Sequence, residues 1–291
     1  MKKIVFLGCE NSHADTFLGF IKSDAKFSDL EVLGVYSDER CAAEKLAEKY
    51  GVKIMNSFDE AVGKVDGVVV TARHGDNHYK YAAPYIKTGV PMFIDKPVSI
   101  AETDALNLAR ECKAAGIKLT GGSSCVHDEF VQILKKEREE NFDGKTLSGF
   151  IRCPINLKNN YGDFFFYSEH LVGVMSAIFG FYPESVAAYK NAEKITVIFR
   201  YKDYDVTGLY VDGNNLYYAM RVAEKSVHGG ELPIDEKNPC FRIEFEEFCG
   251  LLDGKPQRLS YEDFIAPVFV LNAVKKSLDT GKEVRVDKFE L

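Results

Sequence analysis

Apolar positions in the first part of the chain come in short continuous runs, separated by stretches with helical spacing. Runs at 4–7, 31–36, 52–55, 67–70, 91–94 and 117–120 read as strands, and segments 12–23, 39–50, 58–62, 79–87 and 100–115 read as helices. Gly51, Gly89 and Gly116 stand where three of these helices end. The strand runs are apolar throughout rather than alternating, the pattern of a parallel sheet covered on both faces. Residues 1–121 are therefore expected to form a doubly wound α/β domain.

After Gly121-Gly122 the texture changes. A helix is expected over 129–140, a strand over 147–155, and an apolar helix inside the aromatic-rich stretch 161–182. Runs at 194–201, 205–211 and 215–222 carry strand formers, and Asp212-Gly213-Asn214 between the last two reads as a hairpin turn. Helices at 240–252 and 261–278 and a short strand at 283–286 complete the pattern. Residues 122–291 thus predict an α+β domain on a largely antiparallel open sheet. There are no internal repeats and no low-complexity segment.

Bulk properties support two domains, since 291 residues with 46% hydrophobic content can bury more than one core. No run approaches the roughly 18 apolar residues of a membrane span, and the five-residue apolar run after Met1-Lys2-Lys3 is too short for a secretion signal. A cytoplasmic protein is expected. The net charge of -7, with acids and bases interspersed, offers no basic stripe, so nucleic acid and membrane are not expected partners. Seven cysteines, an odd number without Cys-x-x-Cys, argue against a disulfide framework or a thiolate zinc site.

Candidate chemistry gathers at the ends of the strand runs. Asp95-Lys96-Pro97 follows the run at 91–94, and in an open parallel sheet ligands bind beyond the carboxyl ends of the strands. Lys96 would point into that crevice. Pro97 can hold its peptide bond in cis, and Ser99 with Glu102 reads as a capping box. After the first strand comes Gly8-Cys9-Glu10-Asn11-Ser12-His13, where a Rossmann dinucleotide fingerprint would read Gly-x-Gly-x-x-Gly. Gly8 is retained, whereas Glu10 and His13 replace the other two glycines. Asn11 and Ser12 can still donate to a phosphate at the helix N-terminus; otherwise Ser12 merely caps the helix.

At the end of the second strand, Ser37 takes the place where an acid binds the adenosine ribose of NAD, and Asp38 and Glu39 disfavour the extra phosphate of NADP. NAD is preferred, with Ser37 or Asp38 as a simple helix cap the alternative. The polar loop Thr71 to His78 would lie beside Lys96, and His78 could cap the next helix or orient a nicotinamide. No third ligand accompanies His74 and His78, so no metal is expected.

Phe93-Ile94-Asp95-Lys96-Pro97-Val98-Ser99, with His78 and Gly89 upstream, resembles the Glu-Lys-Pro signature of the Gfo/Idh/MocA oxidoreductases, with Asp in place of Glu. The resemblance extends over nearly the whole chain, as a divergent member. It implies a Rossmann domain followed by an α/β domain whose open sheet mediates homo-oligomerisation. It also implies a catalytic histidine on a long helix, here His170, at family spacing from Gly180. The implied reaction is hydride transfer between the nicotinamide of NAD and a carbinol carbon of a sugar, cyclitol or similar small substrate. His170 would exchange the hydroxyl proton and Lys96 would hydrogen-bond the reacting oxygen. The family commonly places an aspartate four residues before the histidine; here that residue is Phe166, with Asp163 and Glu169 out of register. Two other readings accompany this one. One is a lyase or hydrolase that retains NAD and oxidises its substrate transiently; the other is a non-catalytic dinucleotide-dependent sensor. The aromatic group Tyr161, Phe164, Phe165, Phe166 and Tyr167 suits core packing or a subunit interface, or alternatively a sugar-stacking wall.

Overall fold

A computed structural model describes residues 1–234 and 239–291. The chain divides into two compact units: Met1–Gly122 with Phe241–Phe264 and Leu291, and Ser123–Cys240 with Ile265–Glu290.

The first unit alternates β1 (Lys2–Leu7), α1 (Ser12–Ser23), β2 (Leu30–Tyr36), α2 (Arg40–Tyr50), β3 (Gly67–Val70), α3 (Asp76–Ile86), β4 (Met92–Asp95), α4 (Glu102–Ala115) and β5 (Leu119–Gly122). The strands form a parallel sheet in the order β2-β1-β3-β4-β5. Strands β3, β4 and β5 are buried at every position, as their continuous apolar runs require. The sheet has five strands rather than the six expected. Residues 52–55 make only a bridge from Ile54 to Val35, because backbone bonding stops at Val35 N–H to Lys53 O and Met55 N–H to Val35 O. Segment 58–62 forms turns, not a helix. Lys96 consequently follows the fourth strand. The expected capping box is not made either: Ala101 is the N-cap of α4, and the Ser99 hydroxyl donates to Ala101 O.

The second unit contains α5 (Glu129–Glu139), β6 (Thr146–Ile155), α6 (Phe164–Phe179), β7 (Ser185–Asn191), β8 (Lys194–Arg200), β9 (Asp205–Asp212), β10 (Tyr217–Ala223) and β11 (Val227–Leu232). Its seven-stranded sheet runs β11-β10-β6-β9-β8-β7 and ends with β12 (Val284–Arg285). Among the described residues of this sheet, only β6 and β9 pair in parallel. The hairpin expected at Asp212-Gly213-Asn214 does not form, because β6 lies between β9 and β10 and bonds to both. Strands β7 and β11 lay outside the sequence reading; alanines in one and two glycines in the other dilute the strand signal. Helix α6 is buried continuously from Ser168 to Phe179 and packs on the sheet, so its histidine cannot be a surface residue.

Two helices follow, α7 (Cys240–Leu252) and α8 (Tyr261–Thr280). From Phe241 on, α7 belongs to the first unit, where Phe245 stacks on Phe17 at 4.7 Å and joins the cluster with Phe27, Phe93 and Phe248. Phe241 and Phe245, one turn apart on α7, thus face His13 and Phe17 on α1.

Candidate functional site

At the carboxyl edge of the first sheet, Gly8 leaves β1 with φ of 80° and its N–H bonds Tyr36 O. A Cβ on Gly8 would lie 2.4 Å from the backbone of Ala72, so the glycine is demanded by the approach of the turn after β3. Thr71, wholly buried, donates its hydroxyl to Gly8 O at 2.6 Å and locks the same contact. Asn11 is the N-cap of α1: its side-chain oxygen accepts from Ser12 N–H at 2.9 Å.

The two residues that replace fingerprint glycines have specific partners. Glu10 spans the strand ends, accepting from Ser37 Oγ at 2.6 Å through one oxygen and from Arg73 N–H at 3.0 Å through the other. Ser37 in turn accepts from Glu39 N–H at 3.1 Å, so it also shapes the start of α2. Asp38 accepts from Tyr36 Oη at 2.6 Å and from Lys80 at 3.1 Å. Partial burial works against its ionisation, but these donors outweigh that and hold its carboxyl below the usual range. His13 turns inward and places Nδ1 2.8 Å from Asp95 Oδ2.

Asp95 is the hub of this edge. Its carboxylate accepts from Asn11 Nδ2 at 2.7 Å and from Lys96 N–H at 2.6 Å, besides the contact with His13. Burial alone would raise its pKa, yet His13 and Lys96 together hold it below the ordinary carboxylate value. Lys96 is itself buried, and the Lys96-Pro97 peptide bond is cis. The loop after β3 packs directly on this turn: a Cβ at Gly75 would meet Pro97 Cγ at 2.9 Å. His78 is fully buried on α3 and donates from Nε2 to Ala72 O at 2.8 Å. Burial lowers its pKa, so the ring is neutral. Sequence reading had no signal for Glu244, which α7 brings to Asp95 and Lys96. Its carboxyl is wholly buried, and both oxygens lack a hydrogen-bond partner among the described residues.

His170 lies on α6 in the second unit. Its Nδ1 is 2.8 Å from Ser123 Oγ and 3.4 Å from Cys125 Sγ, and the ring meets Tyr167 edge-on at 5.0 Å. Phe166 occupies the position one turn earlier and packs on Tyr161 and Tyr167. Asp163 ends outside the helix and accepts from Asn159 N–H at 3.0 Å, in a local turn. Glu169 is buried within electrostatic reach of Tyr210 on β9. Neither Ser123 nor Cys125 carried a motif that would have marked it. Among the described residues no group of three His, Cys, Asp or Glu is placed to hold a metal ion, and no helix is long and apolar enough to cross a membrane.

Residues 2–123 match the GFO_IDH_MocA family model, described as an oxidoreductase family with an NAD-binding Rossmann fold. Over these residues the chain is similar to that family. The fold of the whole chain is similar to solved structures of low sequence identity. One is the myo-inositol dehydrogenase of Corynebacterium glutamicum, at 15% identity and TM-score 0.81, covering 99% of this chain and 100% of that one. Another is the scyllo-inositol dehydrogenase of Lactobacillus casei with bound NAD(H) and scyllo-inositol, at 13% and 0.84, covering 98% and 99%. A third is the WlbA dehydrogenase of Chromobacterium violaceum in complex with NADH and UDP-GlcNAcA, at 15% and 0.81, covering 99% and 97%. No curated protein matches the chain.

Proposed function

We propose that the chain is an NAD-dependent dehydrogenase acting on a sugar, cyclitol or similar small hydroxy compound, with Lys96 and His170 as its catalytic residues. The observation that carries the reading is Lys96, buried at the carboxyl end of β4 beside an ionised Asp95 in an NAD-binding family domain.

The residues present fit NAD. Ser37, Glu10 and Asp38 make an acceptor-rich edge at the end of β2, suited to a ribose diol and unfavourable to the additional phosphate of NADP. Gly8, Asn11 and Ser12 would hold the diphosphate at the N-terminus of α1, where the helix attracts an anion and Glu10 opposes it. Thr71, His78, Asp95 and Pro97 shape the nicotinamide side from beneath, being tied to backbone and to one another. When bound, the nicotinamide supplies a hydride acceptor or donor. Lys96 offers its ammonium to the reacting oxygen and stabilises negative charge developing there. His170 takes or returns the hydroxyl proton, a task for which an imidazole is chemically suited.

The alternating burial of β8, β9 and β10 leaves one face of the second sheet partly open. That face suits a homo-oligomer of a cytoplasmic enzyme, which size-exclusion chromatography with light scattering would test.

Thermal unfolding with NAD, NADP and a panel of inositols and sugars tests the functional reading. NAD at 100 times its dissociation constant should add about 2.7 kcal/mol. In absorbance assays on any stabilising compound, Lys96→Met should lower kcat by about 10²–10³, and His170→Ala by about 10²–10⁴. Intact turnover in both variants would remove the catalytic assignment, and substrate loss without net change in nicotinamide absorbance would favour a retained cofactor.

A further inference from the structure

The ring of His170 is held from its Nδ1 side by two neutral groups. Ser123 Oγ lies 2.8 Å from that nitrogen and Cys125 Sγ 3.4 Å, and all three side chains are buried. Both partners come from the short turn that opens the second unit, Ser123 as the cap of the 3-10 helix Ser124–His127 and Cys125 within it. Gly173 makes the approach possible. It stands three residues after His170, on the same helical face, and a Cβ there would lie 3.0 Å from Ser123 Cβ and 3.5 Å from Val126 Cγ1. The small residue lets the turn press against the face that carries the imidazole.

An acceptor-only carboxylate at Nδ1 would dictate the tautomer of a histidine, because it must receive a proton from the ring. The residue one turn before His170 is Phe166, and Asp163 is bonded into its own turn, while a hydroxyl and a thiol stand at Nδ1. A hydroxyl and a thiol can each donate or accept, so either tautomer is open to one of them alone. Together they discriminate. A bare Nδ1 has one in-plane lone pair and takes one donor, whereas an Nδ1–H can be shared between an oxygen and a sulfur acceptor. Oxygen and sulfur converge on the same nitrogen, which favours Nδ1–H and leaves the lone pair on Nε2.

We propose that Ser123, seconded by Cys125, is the positioning residue that fixes His170 in its Nδ1–H tautomer and so makes Nε2 the atom that takes the substrate hydroxyl proton. The tautomer stands on the geometry alone; the role of Nε2 rests on the dehydrogenase reading. Tyr167 and Tyr217 meet the ring edge-on at 5.0 and 6.3 Å and restrain its tilt, so rotation about the ring is what Ser123 controls.

Ring ¹⁵N spectra of histidine-labelled full-length protein, recorded as the pH is raised until the His170 signals no longer shift, test this. His170→Gln assigns the signals. Wild type should show a pyrrole-like Nδ1 and a pyridine-like Nε2. Ser123→Ala should give an averaged mixture, Ser123→Thr should restore the wild-type pattern, and Gly173→Ala, which pushes Ser123 away, should reproduce the mixture. A wild-type Nε2–H signature overturns the proposal, and so does a Ser123→Ala spectrum identical to wild type. In turnover of scyllo-inositol with NAD, Ser123→Ala should lower kcat by about 10- to 100-fold with KM little changed. The Nδ1–H signature in a protein that turns over no hydroxy compound would overturn the base role of Nε2 while leaving the positioning by Ser123 established.

Discussion

His13 and Asp95 form a buried pair in which Nδ1 approaches Oδ2 to 2.8 Å, off the geometry of a directed hydrogen bond. The contact ties the first turn of α1 to the end of β4, and Asn11 Nδ2 repeats the tie at 2.7 Å on the same oxygen. His13→Ala would leave the Asp95 carboxylate buried with fewer partners, a change that costs about 3–5 kcal/mol where a buried pair is broken. The pH dependence has a definite sign. Asp95 is held below its ordinary value, so its contribution is present above roughly pH 4 and is lost as pH falls through the lowered folded pKa. Removing His13 raises that pKa, and the midpoint of acid unfolding should move to higher pH. Urea melts from neutral pH downward check this, and an unmoved midpoint would exclude the pair as a stabilising contact.

Glu10 sits between Ser37 and Arg73 N–H, above the end of β1. A phosphate brought within about 5 Å of that carboxylate is repelled by about 3 kcal/mol at an effective dielectric near 20. Glu10→Gln keeps the size and removes the charge. It should narrow the proposed preference for NAD over NADP by about tenfold or more, mainly through tighter NADP binding, as each factor of ten is about 1.4 kcal/mol. Calorimetric titration of both nucleotides reads this directly. Equal ratios in wild type and variant would mean that Ser37 and Asp38 discriminate without it.

Glu244 is the counterpart of Asp95, a carboxyl pushed well above its ordinary pKa by burial and by the nearby Asp95. Here the folded state holds a proton that the unfolded chain releases. Stability is therefore greatest below roughly pH 4.3 and falls as pH rises toward the folded pKa, by about 1.4 kcal/mol for each unit crossed. Glu244→Met removes both the slope and two unpartnered oxygens, and should be more stable than wild type at neutral pH by about 1–3 kcal/mol. Chemical denaturation at pH 5 and pH 8 decides it: the gain must be larger at the higher pH, and parallel curves would contradict a protonated Glu244.

The partners of His13, Glu10 and Glu244 lie beyond what the sequence reveals. Continuous apolar runs reveal the parallel sheet because burial on both faces leaves no polar alternation, and α1 follows from its spacing over Ser12–Ser23, although its cap is Asn11 rather than Ser12. Lys96 is visible because a polar triplet ends an apolar strand. Pairings between distant segments leave no local trace. The turn at Gly213 looks like a hairpin, since nothing near it announces that β6 will lie between β9 and β10. Glu10 and His13 read as losses from a glycine pattern until their partners appear on other strands. Ser123 and Cys125 are ordinary small residues until α6 packs on them.

Gly8 separates two explanations of the one glycine that the turn retains. Close approach of a ligand and close approach of backbone both exclude a side chain, and here the backbone of Ala72 would stand 2.4 Å from a Cβ. Gly89 supplies the control, with φ of 75° and open space around a Cβ. Gly89→Ala should cost only the left-handed strain, about 1–2 kcal/mol. Gly8→Ala adds a clash that neither turn can relieve without breaking the Thr71 hydroxyl bond to Gly8 O, and overpacking of this kind costs a further 1–3 kcal/mol or so. Denaturant melts of the two variants without nucleotide should therefore differ by at least about 1 kcal/mol. Equal losses would mean that the strands are not what forbids a side chain at Gly8, and the ligand would again be the reason for the glycine.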